Sequence, residues 1–418
     1  MRALTYIACI FMPLQFLAIR IPNSTSSYDI TNFIFLFIGF ILVLYNFKIQ
    51  SKLLIFLLIF LIVQITTYLY FGIAPFGRFF SASIWLSSLL LFIVNGEKNI
   101  YYNSNTIFHI VITSLVLSSI YMWYEYQYII TPGGYNGFNV IFDTDFHRLR
   151  PEGPFQEPSY AALVLLSACA GLFGKIIIVQ SNFQKNLIHL IMFFILMITA
   201  LLCRSMHLIT FAISLITFLS LWSTFKIDIK KIILILIGIG VFLFFINYVL
   251  TNDHYIQRLD IFIDPASMKN ASLLSWLRGF DQALVVVNNS PLFGYGIGST
   301  GYFEFYSPYT ERLAHYRLET LTLYDAFSLF FRLTIEIGLL PIVLFLAFLF
   351  IRLLSFRKFL ISYPNKSDAI YSNIVFVFIF SFTLIVGCLI KEPNYARSSL
   401  VLGIFLFASV PINSYLKK

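Results

Sequence analysis

A short proline-rich segment at residues 147–160 concentrates arginine and carboxylate side chains. It reads His-Arg-Leu-Arg-Pro-Glu-Gly-Pro-Phe-Gln-Glu-Pro-Ser-Tyr, so Arg150 and Glu157 lie just before an apolar run, and Ser159 suits a helix N-cap. An arginine stays charged and can grip phosphate oxygens with two nitrogens. The segment is therefore either a salt-bridged turn at an interface or a surface that contacts an anion and a sugar.

A second arginine, Arg204, lies in the very short turn Cys203-Arg-Ser between two apolar runs. Its guanidinium either reaches towards lipid headgroups, as long basic side chains do beside a membrane, or points inward at an anionic ligand. Both interpretations follow from its position.

The spacing predicts an amphipathic helix over residues 275–289, because apolar residues recur there every three or four positions. The apolar side comprises Trp276, Phe280, Ala283, Leu284 and Val287, and the other side comprises Arg278, Asp281 and Gln282.

A glycine run follows this helix. Gly296-Ile-Gly-Ser-Thr-Gly301 matches the dinucleotide-binding fingerprint letter for letter. That fingerprint requires a strand-helix-strand unit around it, and no buried strand precedes the run. We therefore predict a tight turn and a close backbone approach to something bulky.

Arg332 and Glu336 are four residues apart in an apolar run, so they either pair with each other or face a cavity or pathway. Lys391, Glu392 and Arg397 form a further charged group near the C terminus. If these chain regions reach the same side of the fold, they form an anion-handling active site.

The elements that must position these side chains are membrane helices. The chain has 418 residues, of which 59% are hydrophobic and only 11% are charged, whereas average soluble domains carry about 25% charge. This composition excludes a soluble enzyme, a disordered protein and a nucleic-acid-binding protein. We expect an all-α integral membrane protein, with residues 1–418 forming a single polytopic domain of about 12 transmembrane helices.

The distribution of Lys and Arg predicts the orientation, because short cytoplasmic loops carry an excess of both. With both termini cytoplasmic, the inner segments hold most of these residues, including Lys175, Lys230, Lys231, Arg352, Arg357 and Lys358. The short outer loops then hold only Arg20, Arg78, Arg204, Lys391 and Arg397. The net charge of +9 is thus an orientation signal that needs no acidic partner.

Two predicted extracytoplasmic loops, residues 127–158 and 251–326, are too long to be simple connectors. Loops longer than about 15 residues are usually functional or disordered, and these two are rich in Tyr, Phe and Gly with mixed charge. We expect both to be folded.

In this order and membrane placement, four segments resemble the Wzy-type O-antigen polymerase and ligase superfamily. They are residues 150–160, Cys203-Arg-Ser, the stretch from Arg278-Gly-Phe-Asp to the glycine run, and Glu336-Ile-Gly-Leu. The resemblance covers most of the chain. It implies an enzyme of the bacterial inner membrane that joins oligosaccharides carried on undecaprenyl pyrophosphate at the outer face, with a flippase and a chain-length regulator as possible partners.

Such a glycosyl transfer requires groups that stabilise a leaving pyrophosphate and a base for the acceptor hydroxyl. Arginines can stabilise the leaving group without a metal, and no His or Cys cluster suggests metal ligands. We expect no cofactor. The candidate bases are Glu157, Asp325 and His315, the candidate pyrophosphate ligands are Arg150, Arg204, Arg258 and Arg278, and the supporting pair is Arg332 and Glu336.

Ligase-like members of the superfamily place a His-Asn pair shortly before the Glu-x-Gly segment, where this chain has Tyr324-Asp325. This departure favours a polymerase over a ligase. A flippase or transporter of the same lipid-linked oligosaccharide is the rival hypothesis. It predicts charges near the middle of several spans, whereas here the ionisable residues concentrate on one side.

Overall fold

The computed structural model describes residues 2–12, 18–20, 27–29, 33–38, 41, 51–95, 103–130, 150–151, 153–155, 157–178, 183–205, 207–222, 240, 271–363, 369–392, 397–410 and 412. Its main helices are α1 (Arg2–Phe11), α2 (Ser51–Phe71), α3 (Phe76–Asn95), α4 (Ser104–Ile130), α5 (Pro158–Ile178), α6 (Phe183–Leu202), α7 (His207–Trp222), α8 (Ala271–Asn289), α9 (Pro308–His315), α10 (Leu329–Ile337), α11 (Leu339–Ser362), α12 (Ala369–Ile390) and α13 (Ser398–Ser409). Two three-residue strands, β1 (Ala18–Arg20) and β2 (Ser27–Asp29), pair antiparallel.

Several of these helices are apolar enough for a membrane. Five are also long enough to cross one: Phe76–Ile93, Ser104–Gln127, Pro158–Ile178, Leu339–Ser362 and Ala369–Ile390. Shorter apolar helices cover Leu58–Phe71, Asn186–Leu202, His207–Phe218 and Ser398–Ser409. The predicted membrane-embedded helical fold is confirmed. The number of about twelve spans stays a prediction, because the apolar runs at 30–47 and 232–250 lie mostly outside the described residues.

The apolar run at residues 327–354 reads in the sequence as one continuous helix, and this prediction is wrong. The run is divided into α10 and α11 at Gly338, which has a φ of 78°. Glycine enters this left-handed region without the steric penalty of a Cβ, and a Cβ here would overlap the backbone of Leu292. Arg332 and Glu336 therefore belong to a short helix that precedes the span.

Helices α5 and α12 form the centre of the bundle. Their candidate spans are 94% and 83% buried within the protein, as expected for helices that are apolar on every side. They run antiparallel, since Lys175 near the end of α5 donates to the amide oxygen of Asn373 near the start of α12 at 2.7 Å. Gly171 allows the α5 backbone to pack directly against Phe376.

Two buried cations stabilise that end of the bundle. Lys175 Nζ also lies 3.3 Å from the centroid of the Phe108 ring. Arg352 donates from Nη2 to the backbone carbonyls of Phe407 at 2.8 Å and Val410 at 2.9 Å. Carbonyls in the last turn of a helix lack intrahelical donors. These two residues, which the sequence places among the orientation charges, thus also satisfy polar groups inside the protein.

Residues 271–328 pack over the other end of α12, which we call the loop end of the bundle. Ser328 Oγ donates to the Leu389 carbonyl at 2.8 Å, and Trp276 Nε1 donates to the Ile390 carbonyl at 3.2 Å. These contacts cap the last turn of α12. They place the charged side chains of residues 271–328 at the end of the buried helical core.

Candidate functional site

Asp325 lies between two arginines that come from different helices. Its Oδ1 is 3.3 Å from Nη2 of Arg78 near the start of α3 and 3.2 Å from Nη1 of Arg332 in α10. The aspartate side chain is 45% exposed, whereas Arg332 is buried. The described contacts of this carboxylate use Oδ1, which leaves Oδ2 available to a ligand.

Glu336 and Thr300 hold Arg332 in place. Nε of Arg332 donates to Glu336 Oε1 at 2.9 Å, and Oγ1 of Thr300 donates to the same oxygen at 3.0 Å. The Glu336 carboxylate is fully buried, where it needs these partners because an unpaired buried charge is costly. Of the two interpretations that the sequence offers for Arg332 and Glu336, the structure shows the pairing. We call Arg78, Thr300, Asp325, Arg332 and Glu336 the Asp325 cluster.

Two tyrosines flank the exposed side of this cluster. The rings of Tyr302 and Tyr324 lie 4.9 Å apart, and the Arg78 guanidinium carbon is 5.4 Å and 5.7 Å from their centroids. Arg78 also donates to the backbone carbonyl of Tyr324. A cation near aromatic faces is attracted by the ring quadrupole. The tyrosines thus help to fix Arg78 beside Asp325, and both keep an exposed surface.

The backbone next to Asp325 is strained. Ala326 and Phe327 have φ angles of 54° and 58°, a region that residues with a Cβ rarely occupy and that is found repeatedly at functional sites. Gly279 in α8 permits this conformation, since a Cβ at that position would overlap the Ala326 carbonyl. The conformation around Asp325 therefore depends on the close approach of α8.

The Arg278 guanidinium binds backbone carbonyls inside the protein. Its two Nη atoms donate to the backbone carbonyls of Glu319 and Leu321. The side chain is almost fully buried, and burial lowers the pKa of its guanidinium. Gln282, one turn further along α8, donates to the Leu323 carbonyl at 3.3 Å. The structure thus places this candidate pyrophosphate ligand where it orders the series of turns that leads to Asp325.

A second charged group comes from three separate chain segments. Arg150 Nη1 donates to the Cys203 carbonyl at 3.4 Å, and Lys391 Nζ donates to Ser205 Oγ at 3.5 Å. Arg204 lies between these two contacted residues and has a φ of 47°. We call Arg150, Arg204, Lys391 and Arg397 the cation cluster.

Carboxylates and an aromatic ring border the cation cluster. The guanidinium carbon of Arg397 lies 3.6 Å from the centroid of the Tyr160 ring, and Glu157 is hydrogen-bonded to the side chain of Tyr160. Glu392 Oε1 lies 3.3 Å from His207 Nε2, and both side chains are buried. Burial tends to raise the pKa of Glu392, but its hydrogen bond to His207 and the neighbouring positive charges outweigh this and hold the pKa below its ordinary value.

The end of α12 joins the two clusters. Its last residues, Leu389 and Ile390, accept hydrogen bonds from Ser328 and Trp276 in the segment that carries Asp325. The next residues, Lys391 and Glu392, contact the turn that contains Arg204 and the start of α7. Both clusters therefore lie at the same end of the bundle, as the sequence predicts for these charged segments.

Other predicted site residues have different positions. His315 is the exposed last residue of α9, and Arg258 lies outside the described residues. The glycine run forms turns, with positive φ at Gly296, Gly298 and Gly301. A Cβ on Gly298 would lie 3.3 Å from the backbone carbon of Arg78, so the predicted close backbone approach is confirmed.

The sequence interpretation missed Arg78, which it counted only among the charges of the short outer loops. The sequence did contain a signal for Arg78. Like Arg204, it is an arginine in a predicted outer loop, where Lys and Arg are generally scarce. Nothing in the spacing of Tyr302 and Tyr324 distinguished them from the other tyrosines of the chain. No protein-family model matches this sequence, and the curated proteins also contain no match.

Proposed function

We propose that this protein is a glycosyltransferase that polymerises oligosaccharide repeat units carried on undecaprenyl pyrophosphate. It would transfer the growing glycan from one lipid carrier to a new lipid-linked unit, without a metal ion. The observation that carries the proposal is the arrangement at the loop end, where the exposed Asp325 carboxylate is held by two arginines at the same end of the bundle as the cation cluster. The family resemblance of the sequence agrees with it.

The proposed reaction requires both a base, such as a carboxylate, and a group of fixed positive charges. A hydroxyl of the acceptor sugar attacks the anomeric carbon of the donor, and the bond from that carbon to the pyrophosphate oxygen breaks. The transition state has oxocarbenium character. The hydroxyl proton passes to a base, and the leaving pyrophosphate takes the bonding electron pair. The enzyme must therefore supply one carboxylate or imidazole and several fixed positive charges.

The cation cluster is the proposed pyrophosphate site. Arg150 and Arg204 were chosen from the sequence, and the structure adds Lys391 and Arg397 beside them. Fixed guanidinium groups stabilise a developing charge more than mobile ones, because little reorganisation accompanies the reaction. The contacts of Arg150 to a backbone carbonyl and of Arg397 to an aromatic ring provide this fixation.

Asp325 is the proposed base. It is the only one of the three sequence candidates that the described contacts place between two arginines. Glu157 is engaged with Tyr160, and His315 is at the exposed end of a short helix. Arg332 and Glu336 act as positioning residues for the aspartate, and Tyr302 and Tyr324 offer aromatic faces for a sugar ring.

Arg278 has a positioning role in this proposal, since its guanidinium is bound to carbonyls of residues 319 and 321. Arg258 stays a candidate pyrophosphate ligand from the sequence. Possible partners are the flippase that delivers the lipid-linked unit and a regulator of chain length.

We further propose that the loop end faces away from the cytoplasm of a bacterial inner membrane, with both termini cytoplasmic. The excess of Lys and Arg in the opposite short loops supports this orientation. A reporter fused near Tyr306 should then be extracytoplasmic, and one fused near Lys358 should be cytoplasmic. The opposite pattern would overturn both the orientation and the proposed reaction.

Deletion of the gene in its host tests the function directly. A polymerase mutant should retain a single repeat unit on its surface lipid, which a gel of the polysaccharide resolves. A bare lipid core would indicate a ligase, and loss of all exported repeat units would indicate a flippase. Purified protein should also extend lipid-linked repeats with a chelator present, whereas restoration by magnesium or manganese alone would contradict the metal-independent chemistry.

A further inference from the structure

Helix α8 buries polar residues together with small and medium-sized apolar residues, and it exposes two of its large apolar side chains. Its polar residues Ser275, Arg278 and Gln282 are buried. Its large apolar residues Phe280 and Leu284 are 42% and 43% exposed. An amphipathic helix beside water buries its apolar side instead. The sequence predicted two sides of this helix, and the structure shows that Arg278 and Gln282 of the predicted polar side face the protein together with Ala283, whereas Phe280 and Leu284 of the predicted apolar side are exposed.

The buried polar side chains of α8 donate hydrogen bonds within the protein. Arg278 donates to the carbonyls of Glu319 and Leu321, and Gln282 donates to the Leu323 carbonyl. Ser275 Oγ donates to the Leu321 carbonyl at 3.4 Å. These hydrogen bonds satisfy the carbonyls of residues 319, 321 and 323 in a segment of consecutive turns. They also mean that rotating α8 to hide Phe280 and Leu284 would remove the donors of these partly buried carbonyls.

The exposed apolar side continues onto a membrane-spanning helix. After α8 the chain turns through Leu292 and Phe293, which are both exposed. The Pro291 carbonyl in this turn accepts a hydrogen bond from the amide of Leu339, the first residue of α11, at 2.7 Å. Only 22% of the α11 span is buried within the protein, and its first turns also expose apolar side chains: Leu340, Val343 and Leu344.

We infer that α8 lies in the plane of the membrane, with Phe280 and Leu284 inserted among the lipids of the leaflet at the loop end. The partner of this surface is lipid, because the apolar surface is continuous with the lipid-facing side of α11. Helices that lie at the interface in this way place their apolar side about 5 to 10 Å into the boundary between headgroups and acyl chains. The inference does not depend on the proposed transferase activity.

The placement of α8 in the membrane plane also sets the depth of the Asp325 cluster relative to the lipids. Phe331 in α10 packs on the apolar side of α8, with ring centroids 4.9 Å from Trp276 and 5.7 Å from Phe280. The next residue is Arg332, which binds Asp325. The cluster is therefore close to the level of the lipid headgroups. A phosphate-bearing lipid can reach this level without leaving its leaflet.

Spin labels on single cysteines test the membrane contact. The variants Phe280→Cys and Leu284→Cys would be labelled in a background in which the four native cysteines, all buried, are replaced by alanine. The full-length protein would be reconstituted in vesicles of phosphatidylethanolamine and phosphatidylglycerol. Matched controls are Leu344→Cys on α11 for lipid and Tyr306→Cys, at a side chain that is 74% exposed, for water. Collisions with oxygen and with a water-soluble nickel complex then report the depth of each label.

Labels at 280 and 284 should match the Leu344 control, with collisions dominated by oxygen and a depth of about 5 to 10 Å. Nickel accessibility equal to that of the Tyr306 control would overturn the inference, because the helix would then face water. Protection from both reagents would also overturn it, since protein would cover the surface. Two independent positions keep the test decisive if one variant fails to fold, and size-exclusion chromatography identifies such a variant.

Discussion

Arg78 and Asp325 are 247 residues apart in the chain, yet their side chains are 3.3 Å apart. The arginine is at the start of a membrane-spanning helix, and the aspartate ends an irregular segment that precedes α10. The same carboxylate oxygen also accepts a hydrogen bond from Arg332 at 3.2 Å. This shared oxygen joins α3 to α10 and leaves one exposed carboxylate oxygen beside two positive charges.

Asp325→Asn should abolish most of the proposed transferase activity. The amide keeps the size of the side chain but cannot accept the hydroxyl proton, and loss of a general base typically reduces the rate by about 100- to 10,000-fold. The measurement is the initial rate of glycan extension by purified protein. Glu304→Gln, at an exposed carboxylate of the same loop region, is the matched control. A normal rate in Asp325→Asn would move the role of base to Glu157 or His315.

Arg150→Lys and Arg204→Lys should each reduce the rate by about 100- to 1,000-fold, which is the usual cost of losing a contact to a developing charge. Lysine keeps the positive charge but cannot grip pyrophosphate with two nitrogens. Polymer length in cells at matched expression checks this. Arg357→Lys, at an exposed position of α11, should be neutral. Long polymer from both variants would leave these arginines as anchors to lipid headgroups.

Arg278→Lys should act on stability. A single ammonium cannot reproduce the two hydrogen bonds to the Glu319 and Leu321 carbonyls, and losing a hydrogen bond to a charged group costs about 1.5 to 3 kcal/mol. We expect a lower unfolding temperature in detergent and faster hydrogen exchange over residues 319–328. Arg204→Lys should change neither quantity. Unchanged stability together with lost activity in Arg278→Lys would return this residue to the pyrophosphate site.

Gly279→Ala should destabilise the loop end, because the added Cβ overlaps the Ala326 carbonyl and overpacking typically costs about 1 to 3 kcal/mol. It should also lower activity by moving Asp325. Gly77→Ala is the control, since nothing lies within 4 Å of a Cβ at that helical position. Thermal unfolding in detergent compares the two variants. Equal unfolding temperatures would show that α8 does not approach Ala326 this closely.

Glu392 should make stability depend on pH in the acid range. Its pKa is held below the ordinary value, which is about 4.3 in an unfolded chain. Such a carboxyl contributes stability above the unfolded pKa, and the contribution is lost as the pH falls through the folded pKa. The stability advantage of the wild type over Glu392→Gln should therefore be full at pH 7 and shrink below about pH 4. Unfolding curves at both pH values check this, and an advantage that grows on acidification would reverse the sign of the shift.

The sequence by itself determined the membrane-embedded helical fold, because long apolar runs with so little charge have no stable alternative in water. It also predicted that α8 is a helix with two different sides, and it offered the pairing of Arg332 with Glu336 as one of two interpretations. These properties depend on neighbours within one or two helical turns, and the periodicity of the chain records such neighbours directly.

Only the tertiary structure decided which side chains of α8 are buried, because that choice depends on the carbonyls of residues 319, 321 and 323, which lie in another part of the chain and accept hydrogen bonds from α8. It also decided that Asp325 meets Arg78, and that Arg278 orders backbone instead of facing outward. Hydropathy is a property of single residues and short windows. The partner of a charged side chain is set by which helix ends come together, and this follows from packing over the whole bundle.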